Sequence, residues 1–295
     1  MPRNNTLGNL ALAGYDEIFK SSTTPISGES IVEIPLSELH PPEFHPFHVF
    51  DDIKMTRLTL NVKNNGVREP GLARPRLEGG YELLCGNRRK RACERAEFQT
   101  MPVIIRDMDD YSAALAMVDS NLEHRETLLY SEKAWAYKIK MEALNHKGIK
   151  GDMLSVEVLV EQTGESKNQI FRLVRLTELI VTLLDKVDAK QLAFNPAVEL
   201  SYLTQVEQSA VAVAMDKYGV KPSLSQAVRF KKMKKSGKLT IEAIDRILAE
   251  AKKPPKDKPS GSLRFRKYFP PEYSQKQMDA VIIELLNGWK LSKAS

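Results

Sequence analysis

The sequence contains few of the residues on which disulfide frameworks, metal sites and membrane spans depend. Only two of its 295 residues are Cys and five are His, and no second Cys or His pair stands at zinc-ligand spacing from Cys85 and Cys93. We therefore expect two free thiols. No apolar run approaches the ~20 residues that span a bilayer, and the first residues lack the apolar stretch of a signal peptide. These absences predict a cytoplasmic protein without membrane association.

The composition that remains is ordinary, but the charge is unevenly placed. The hydrophobic share of 42% and the charged share of 28% are typical of globular chains. The net charge is +6, yet residues 221–267 hold 15 Lys or Arg against 4 Asp or Glu, which leaves the remainder of the chain net acidic. Such a segment is typical of a tail that follows a polyanion. A tail that only keeps the chain soluble is the alternative.

The order of strand and helix patterns predicts an α+β fold in two small domains. Strands and helices alternate up to about residue 110, and only helical periodicity follows. The predicted segments are a mobile arm (1–28), an α+β domain (29–110), a helical domain (111–250), a basic linker (251–267) and a C-terminal helix (268–295).

Capping residues predict where several helices begin. Asp51 or Asp52 starts a helix that ends at Gly66, and Ser131 starts a long helix in the second domain. Ser155 and Ser166 start two short helices that are separated by a turn at Gly164.

The second of these short helices carries the chemistry of a base-reading surface. Ile170, Leu173 and Val174 form its apolar stripe. The outward side is rich in residues that pair with guanine or adenine edges, as the second helix of a helix-turn-helix does in the major groove. The predicted DNA-binding residues are Ser166, Lys167, Asn168, Gln169, Arg172 and Arg175. Any helical hairpin with a Gly turn gives a similar pattern, so a hairpin without DNA remains an alternative.

A second constellation lies in CGNRRKRA, residues 85–92. A strand that ends at Gly86 and continues directly into a helix offers free backbone N–H groups. Arg88 and Arg89 add planar donors that suit phosphate. The pattern indicates an oligophosphate site. An exposed basic helix face that holds the DNA backbone, or only solvates the domain, explains it equally well.

In order and spacing the chain resembles the ParB/RepB partition-protein family from Ile31 to about Leu203. The matching stretches are NGVREPGLARP, YELLCGNRRKRACERAEFQTMPVIIR, SNLEHRETLLYSEKAWAYKIKMEAL, GESKNQIFRLVRL and LAFNPAVELSYL. The resemblance implies an N-terminal domain that binds CTP with Mg²⁺ and closes as a clamp around DNA. It also implies a helix-turn-helix that reads a palindromic site in double-stranded DNA, and a ParA-type ATPase as a candidate partner.

The family's nucleotide motifs can be placed on this chain. Its Gly-Glu-Arg-Arg motif falls on residues 86–89 with Asn87 in place of the acid, and its Glu-Asn-x-x-Arg motif begins at Ser120. The arginine of the second motif is Arg125 after one inserted residue, and His124 stands at the uninserted position. The nucleotide-binding residues that the resemblance implies are Gly66, Arg74, Gly86, Asn87, Arg88, Arg89, Asn121 and Arg125, with Asn121 also as metal ligand. Because both acids are replaced, we expect at most a slow CTPase.

Two other functions compete with a partition clamp. A transcriptional or copy-number regulator would use the same helix-turn-helix without a nucleotide switch. The family's N-terminal fold is also similar to that of sulfiredoxin-like enzymes, which need a Cys directly after the turn glycine. Here Cys85 precedes Gly86, which argues against that chemistry.

The last predicted helix has an apolar face that predicts self-association. A homodimer would match a palindromic site, whereas docking of the helix onto the chain's own helical domain is the alternative. The face comprises Tyr273, Met278, Val281, Ile282, Leu285 and Trp289.

Overall fold

The computed structural model describes residues 29–146, 152–251 and 265–292. The predicted mobile arm lies outside the described residues, as does most of the predicted basic linker. The strands are β1 (Ile31–Pro35), β2 (Leu39–His40), β3 (Gly71–Pro75), β4 (Tyr81–Cys85) and β5 (Thr100–Ile105). The helices are α1 (Ile53–Asn65), α2 (Asn87–Arg95), α3 (Asp110–His124), α4 (Tyr130–His146), α5 (Asp152–Thr163), α6 (Lys167–Arg175), α7 (Val181–Asp188), α8 (Phe194–Leu200), α9 (Gln205–Tyr218), α10 (Leu224–Lys235), α11 (Ile241–Ala251) and α12 (Gln275–Ser292).

The five strands form one mixed sheet in the order β1-β5-β3-β4-β2. The hairpin predicted around Gly79 and Gly80 is confirmed, since β3 and β4 pair antiparallel across it. β5 returns parallel to β3 and pairs antiparallel with β1 at the edge. The first nucleotide motif therefore begins at the end of β4, an interior strand of the sheet that lies between β3 and the edge strand β2.

Both faces of the sheet are covered by helices. Because side chains alternate along a strand, Leu83 points into a core with α1 and α2, and Leu84 points into a second core with α3. Residues of α3 such as Ala113 and Ala116 line that second core. The predicted α+β class is confirmed, with many helices after the sheet.

The helices from α4 to α11 share a larger apolar core, to which α3 also contributes Met117 and Val118. α3 thus packs on the sheet through its first half and on the helical part through its second half. A buried polar cluster accompanies this contact: Lys140, with no exposed surface, donates to Asp119 of α3 and to Gln162 of α5. Burial lowers the pKa of Lys140, and the carboxylate of Asp119 opposes that shift.

Some helices begin where the capping residues predicted, and others do not. Asp52 caps α1 by accepting the Met55 N–H at 2.8 Å, and Gly66 ends that helix with φ +70°. Ser131 does not start α4: the helix begins at Tyr130 and the Ser131 N–H bonds to Asp188 at 3.0 Å. Ser155 lies inside α5 and donates to Asn145 at 2.7 Å.

The last described segment, residues 265–292, contains α12 and a short 3-10 helix before it. Met278 is buried, but much of the predicted apolar face is open: Leu285 is 68% and Trp289 is 59% exposed. Among the described helices, none has the length and apolar composition to cross a bilayer.

Candidate functional site

A cavity of about 510 Å³ opens between the end of β4, the start of α2, α1 and the end of α3. Its cationic lining residues outnumber the single acidic one, Glu69. The cations are Lys54, Arg57, Arg88, Arg89 and Arg125. A cavity with this excess of positive charge favours a multiply charged anion.

The start of α2 points free backbone donors at this cavity. The helix's own hydrogen bonds begin with Lys90 N–H on Gly86 O at 2.9 Å, so the N–H groups of residues 87–89 have no carbonyl partner within the helix. Gly86 has φ +107°, and a Cβ there would lie 3.2 Å from the Cα of Gly71. Only glycine combines this backbone angle with such close strand packing. The turn therefore forms the anion-binding end of a helix.

The two arginines that follow have different surroundings. Arg88 lines the cavity and lies near enough to Arg125 that its charge lowers the pKa of Arg125, in the same direction as the larger effect of burial. Arg89 donates from Nη1 to the carbonyls of Glu69 and Pro70 at 2.6 and 2.8 Å. Arg89 thus fixes the loop before β3, and its other guanidinium N–H groups remain for the cavity.

The second motif reaches the same cavity from the end of α3. The Asn121 amide nitrogen donates to Met117 O at 2.8 Å, so its amide oxygen is the atom left for a ligand. Both His124 and Arg125 line the cavity. The arginine of the second motif therefore reaches the cavity despite the one-residue insertion, and His124, at the uninserted position, reaches it as well. Arg125 is held by Glu132, whose Oε1 lies 3.2 Å from Nη1.

Asn87 stands where the family has an acid, and it bonds to a histidine that the sequence did not single out. His45 Nδ1 lies 2.9 Å from Phe47 O. Because a carbonyl only accepts, that nitrogen donates, and Nε2 of the neutral ring accepts from Asn87 Nδ2 at 3.2 Å. Burial lowers the pKa of His45, which keeps the ring neutral at pH 7.

Lys54 and Arg57 also line the cavity, and the sequence did not single them out either. They lie on α1, whose buried residues Met55 and Val62 belong to a different side of the helix. Their spacing of three places them on one helix face, but nothing in the local sequence indicates which element that face meets. Lys54 pairs with Glu126 at 3.0 Å.

Two residues of the predicted set lie elsewhere. Gly66 ends α1 and is not part of the cavity lining. Arg74 points to another surface cavity, where it pairs with Glu82 at 2.5 Å and Asp110 at 2.7 Å. The structure therefore unites Gly86, Asn87, Arg88, Arg89, Asn121 and Arg125 but not these two.

The donor set fits Mg²⁺ only if a ligand brings its own oxygens. Within the described ranges there is no cluster of three or more His, Cys, Asp or Glu that could hold a metal ion. Asn121 offers one neutral amide oxygen. Mg²⁺ commonly combines few protein ligands with substrate phosphates and water, so these residues fit a metal that arrives with an oligophosphate.

The two helices predicted for the helix-turn-helix are present as α5 and α6, and the turn between them contains Gly164 with φ +69°. Ser166 caps α6 by accepting the Gln169 N–H at 3.3 Å. Ile170 and Leu173 are buried, Asn168 is exposed, and Lys167 and Gln169 are half-buried. Lys167 pairs with Glu157 at 2.6 Å.

The two arginines of α6 are held by residues that follow it. Arg172 donates to Asn195 and lies 4.9 Å from the centre of the Phe194 ring. Arg175 donates to Ser201 O at 3.0 Å and lies over Tyr202 at 4.3 Å. These contacts fix the guanidinium groups, and they give Arg175 a role in holding α8 to α6.

Comparison with known proteins finds a family match in the first part of the chain. A family model for the ParB N-terminal domain matches residues 20–122. Over 214 residues the chain is 28% identical to a nucleoid occlusion protein of Listeria monocytogenes, and this match covers 72% of this chain and 70% of that protein.

Two solved structures of C-terminally truncated chromosome-partitioning protein ParB from Caulobacter crescentus are similar. One, complexed to the centromeric parS site, is 20% identical, covers 74% of this chain and 99% of that chain, and has a TM-score of 0.39. The other, complexed with CTP-gamma-S, is 24% identical, covers 63% and 99%, and has a TM-score of 0.31. On the family match and the sequence relative, the predicted resemblance to the ParB/RepB family is confirmed, and the match to the ParB N-terminal domain model lies in residues 20–122.

Proposed function

We propose that this ParB-type chain binds CTP together with Mg²⁺ in the 510 Å³ cavity, and that it reads a site in double-stranded DNA with α6. The bound nucleotide changes the state of the protein on DNA, as a clamp that closes around the duplex. The observation that carries this proposal is the convergence of both nucleotide motifs on one cation-lined cavity. The start of α2 supplies one motif, and the end of α3 supplies the other.

The lining of this cavity suits the triphosphate part of a nucleotide. The phosphates suit the free N–H groups of residues 87–89 together with the guanidinium groups of Arg88 and Arg125. Lys54 and Arg57 extend the positive lining along α1. The identity of the base as cytosine comes from the family resemblance, so a test of binding must include other nucleotides.

Mg²⁺ would be held by phosphate oxygens and the amide oxygen of Asn121. When bound, it would neutralise phosphate charge. The cavity has one carboxylate, Glu69, and Asn87 is engaged with His45. Neither Asn87 nor Ser120 can act as a general base, so we expect turnover to be slow or absent. The change of state then depends on binding.

The DNA-reading part rests on the N-terminal half of α6, where Asn168 is exposed and Lys167 and Gln169 are half-buried, since that half of a recognition helix meets base edges. Lys167, Asn168, Gln169 and Arg172 are the proposed readers. Arg175, which holds Ser201 and Tyr202, supports the surface. A homodimer would present two such helices to a palindromic site. The protein then acts in partition or in nucleoid occlusion, and it is located in the cytoplasm on chromosomal or plasmid DNA.

Calorimetry with the full chain, CTP and Mg²⁺ tests the nucleotide site. Arg88→Ala removes a charge-assisted contact and should weaken binding by about 10- to 100-fold. Arg91→Ala is the matched control, because Arg91 lies on the same helix but pairs with Asp51 at 2.7 Å and is not part of the cavity lining. It should bind as the wild type does.

The same measurement with ATP and with UTP, each with Mg²⁺, and with CTP in the absence of Mg²⁺ completes the series. The release of phosphate measures turnover of the nucleotide. CTP should give the strongest binding. If no nucleotide binds in the presence or absence of target DNA, the nucleotide switch is refuted. The chain would then act as a DNA-binding regulator with the same helix-turn-helix.

A further inference from the structure

An aromatic side chain stands on the outward face of α6, and the DNA-reading set does not include it. Phe171 is 38% exposed, whereas its neighbour Ile170 and Leu173 are 0% and 1% exposed. It is the fifth residue of a nine-residue helix. The ring therefore belongs to the solvent side of α6 rather than to the core beneath it.

The neighbours of Phe171 are those of a groove-reading surface. Lys167 and Arg175 lie four positions before and after it, and Asn168 lies three positions before it, so all three share its helix face. Positive charge on either side complements the phosphates along a groove. Asn168 suits an adenine edge. The aromatic ring of Phe171 lies in the middle of this face, so it would contact an apolar group of the DNA among the polar base edges.

The major groove presents one such group. Among the four base-pair orientations, the C5 methyl group of thymine is the apolar feature that a side chain can reach there, and Phe is one of the residues that contacts it. We infer that Phe171 contacts a thymine methyl group in the major groove and selects a T·A pair at one position of each half-site. This inference rests on the proposed function, because it requires α6 to be the reading helix.

The test removes that methyl group from the DNA and not from the protein. Duplexes selected by the full chain from a random library define the preferred site. Each thymine of that site is then replaced in turn by deoxyuridine, which differs from thymine by the methyl group alone. Binding constants are measured for the wild type, Phe171→Ala, Phe171→Leu and Phe98→Ala.

For the wild type, one thymine per half-site should be sensitive, with binding about fourfold weaker after removal of one methyl group. Phe171→Ala should bind the thymine site more weakly and should no longer distinguish thymine from deoxyuridine at that position alone. Phe171→Leu keeps an apolar side chain and should retain most of the difference. Phe98, which is 37% exposed in the first domain, is the matched control, and Phe98→Ala should behave as the wild type does.

The outcomes separate this inference from the proposed function. If the chain selects a site but no thymine is sensitive, or if Phe171→Ala keeps the wild-type pattern, the methyl contact is wrong while α6 remains the reading helix. If no sequence is enriched, sequence reading by α6 is refuted, and the inference fails with it.

Discussion

Glu132 is a buried carboxylate on which the position of Arg125 depends, and its removal gives a sharp prediction. Its side chain is 2% exposed. Oε1 accepts from the His48 N–H at 2.7 Å and from Arg125 at 3.2 Å, and Oε2 accepts from the Leu129 N–H at 2.9 Å. Glu132→Ala leaves Arg125, itself 13% exposed, without its charge partner. Removing one partner of a buried pair lowers the free energy of unfolding by about 3–5 kcal/mol.

Glu126 supplies a control six residues away. It pairs with Lys54 at 3.0 Å, but its side chain is 84% exposed and that of Lys54 is 60% exposed. Exposed pairs contribute about 0–1 kcal/mol, so Glu126→Ala should barely change the free energy of unfolding. Urea denaturation of the full chain, followed by circular dichroism, measures both. If the two variants lose stability equally, Glu132 is not the structural centre that its contacts indicate.

Three further predictions concern other parts of the chain. Burial raises the pKa of the Cys85 thiol to about 11, so the thiol is protonated at pH 8. Mass spectrometry after iodoacetamide treatment should show no modification of Cys85 until denaturant is added. Modification of the native protein would contradict the burial of this thiol. The segment 252–267, with seven Lys or Arg, should steepen the salt dependence of DNA binding. Truncation after residue 251 should therefore give a shallower slope of log binding constant against log salt concentration than truncation after residue 267, by about 0.9 for each phosphate that the segment neutralises. Equal slopes would show that the segment does not contribute to DNA binding. The exposed face of α12 should support a dimer, so sedimentation should show a dimer for the full chain and a monomer without residues 268–295, whereas a monomer in both cases would refute self-association.

Local chemistry was enough to predict the α+β class, the hairpin and several helix ends. Asp52 and Gly66 act within a few residues of their own positions, through a side-chain cap and a positive φ. Ser166 and Gly164 act in the same way at the helix-turn-helix. Signals of this kind survive because tertiary contacts do not compete with them.

The serine caps that failed show the opposite case. Ser131 is 7% exposed and lies inside α4, where a carboxylate from α7, Asp188, bonds its N–H. Ser155 is fully buried, and it bonds across to Asn145 of α4. Both partners are distant in sequence or belong to another element, so the local pattern could not reveal them.

The candidate site divides along the same line. Gly86, Arg88 and Arg89 could be predicted from one strand-to-helix turn, and Asn121 and Arg125 from the family resemblance. Lys54 and Arg57 could not, because their contribution depends on α1 lining the same cavity as the end of α3. The sequence likewise could not show that Arg74 pairs with Glu82 and Asp110, away from the cavity.

Hydrogen exchange of the full chain on its selected DNA site, with and without CTP and Mg²⁺, tests the central claim most directly. The account predicts that the nucleotide slows exchange of the amides at the start of α2, residues 87–89, and around residues 121–125 at the end of α3. Arg88→Ala should lose this protection and keep the protection of α6 by DNA. If α6 is protected by DNA while CTP leaves the start of α2 unchanged, the nucleotide switch is contradicted.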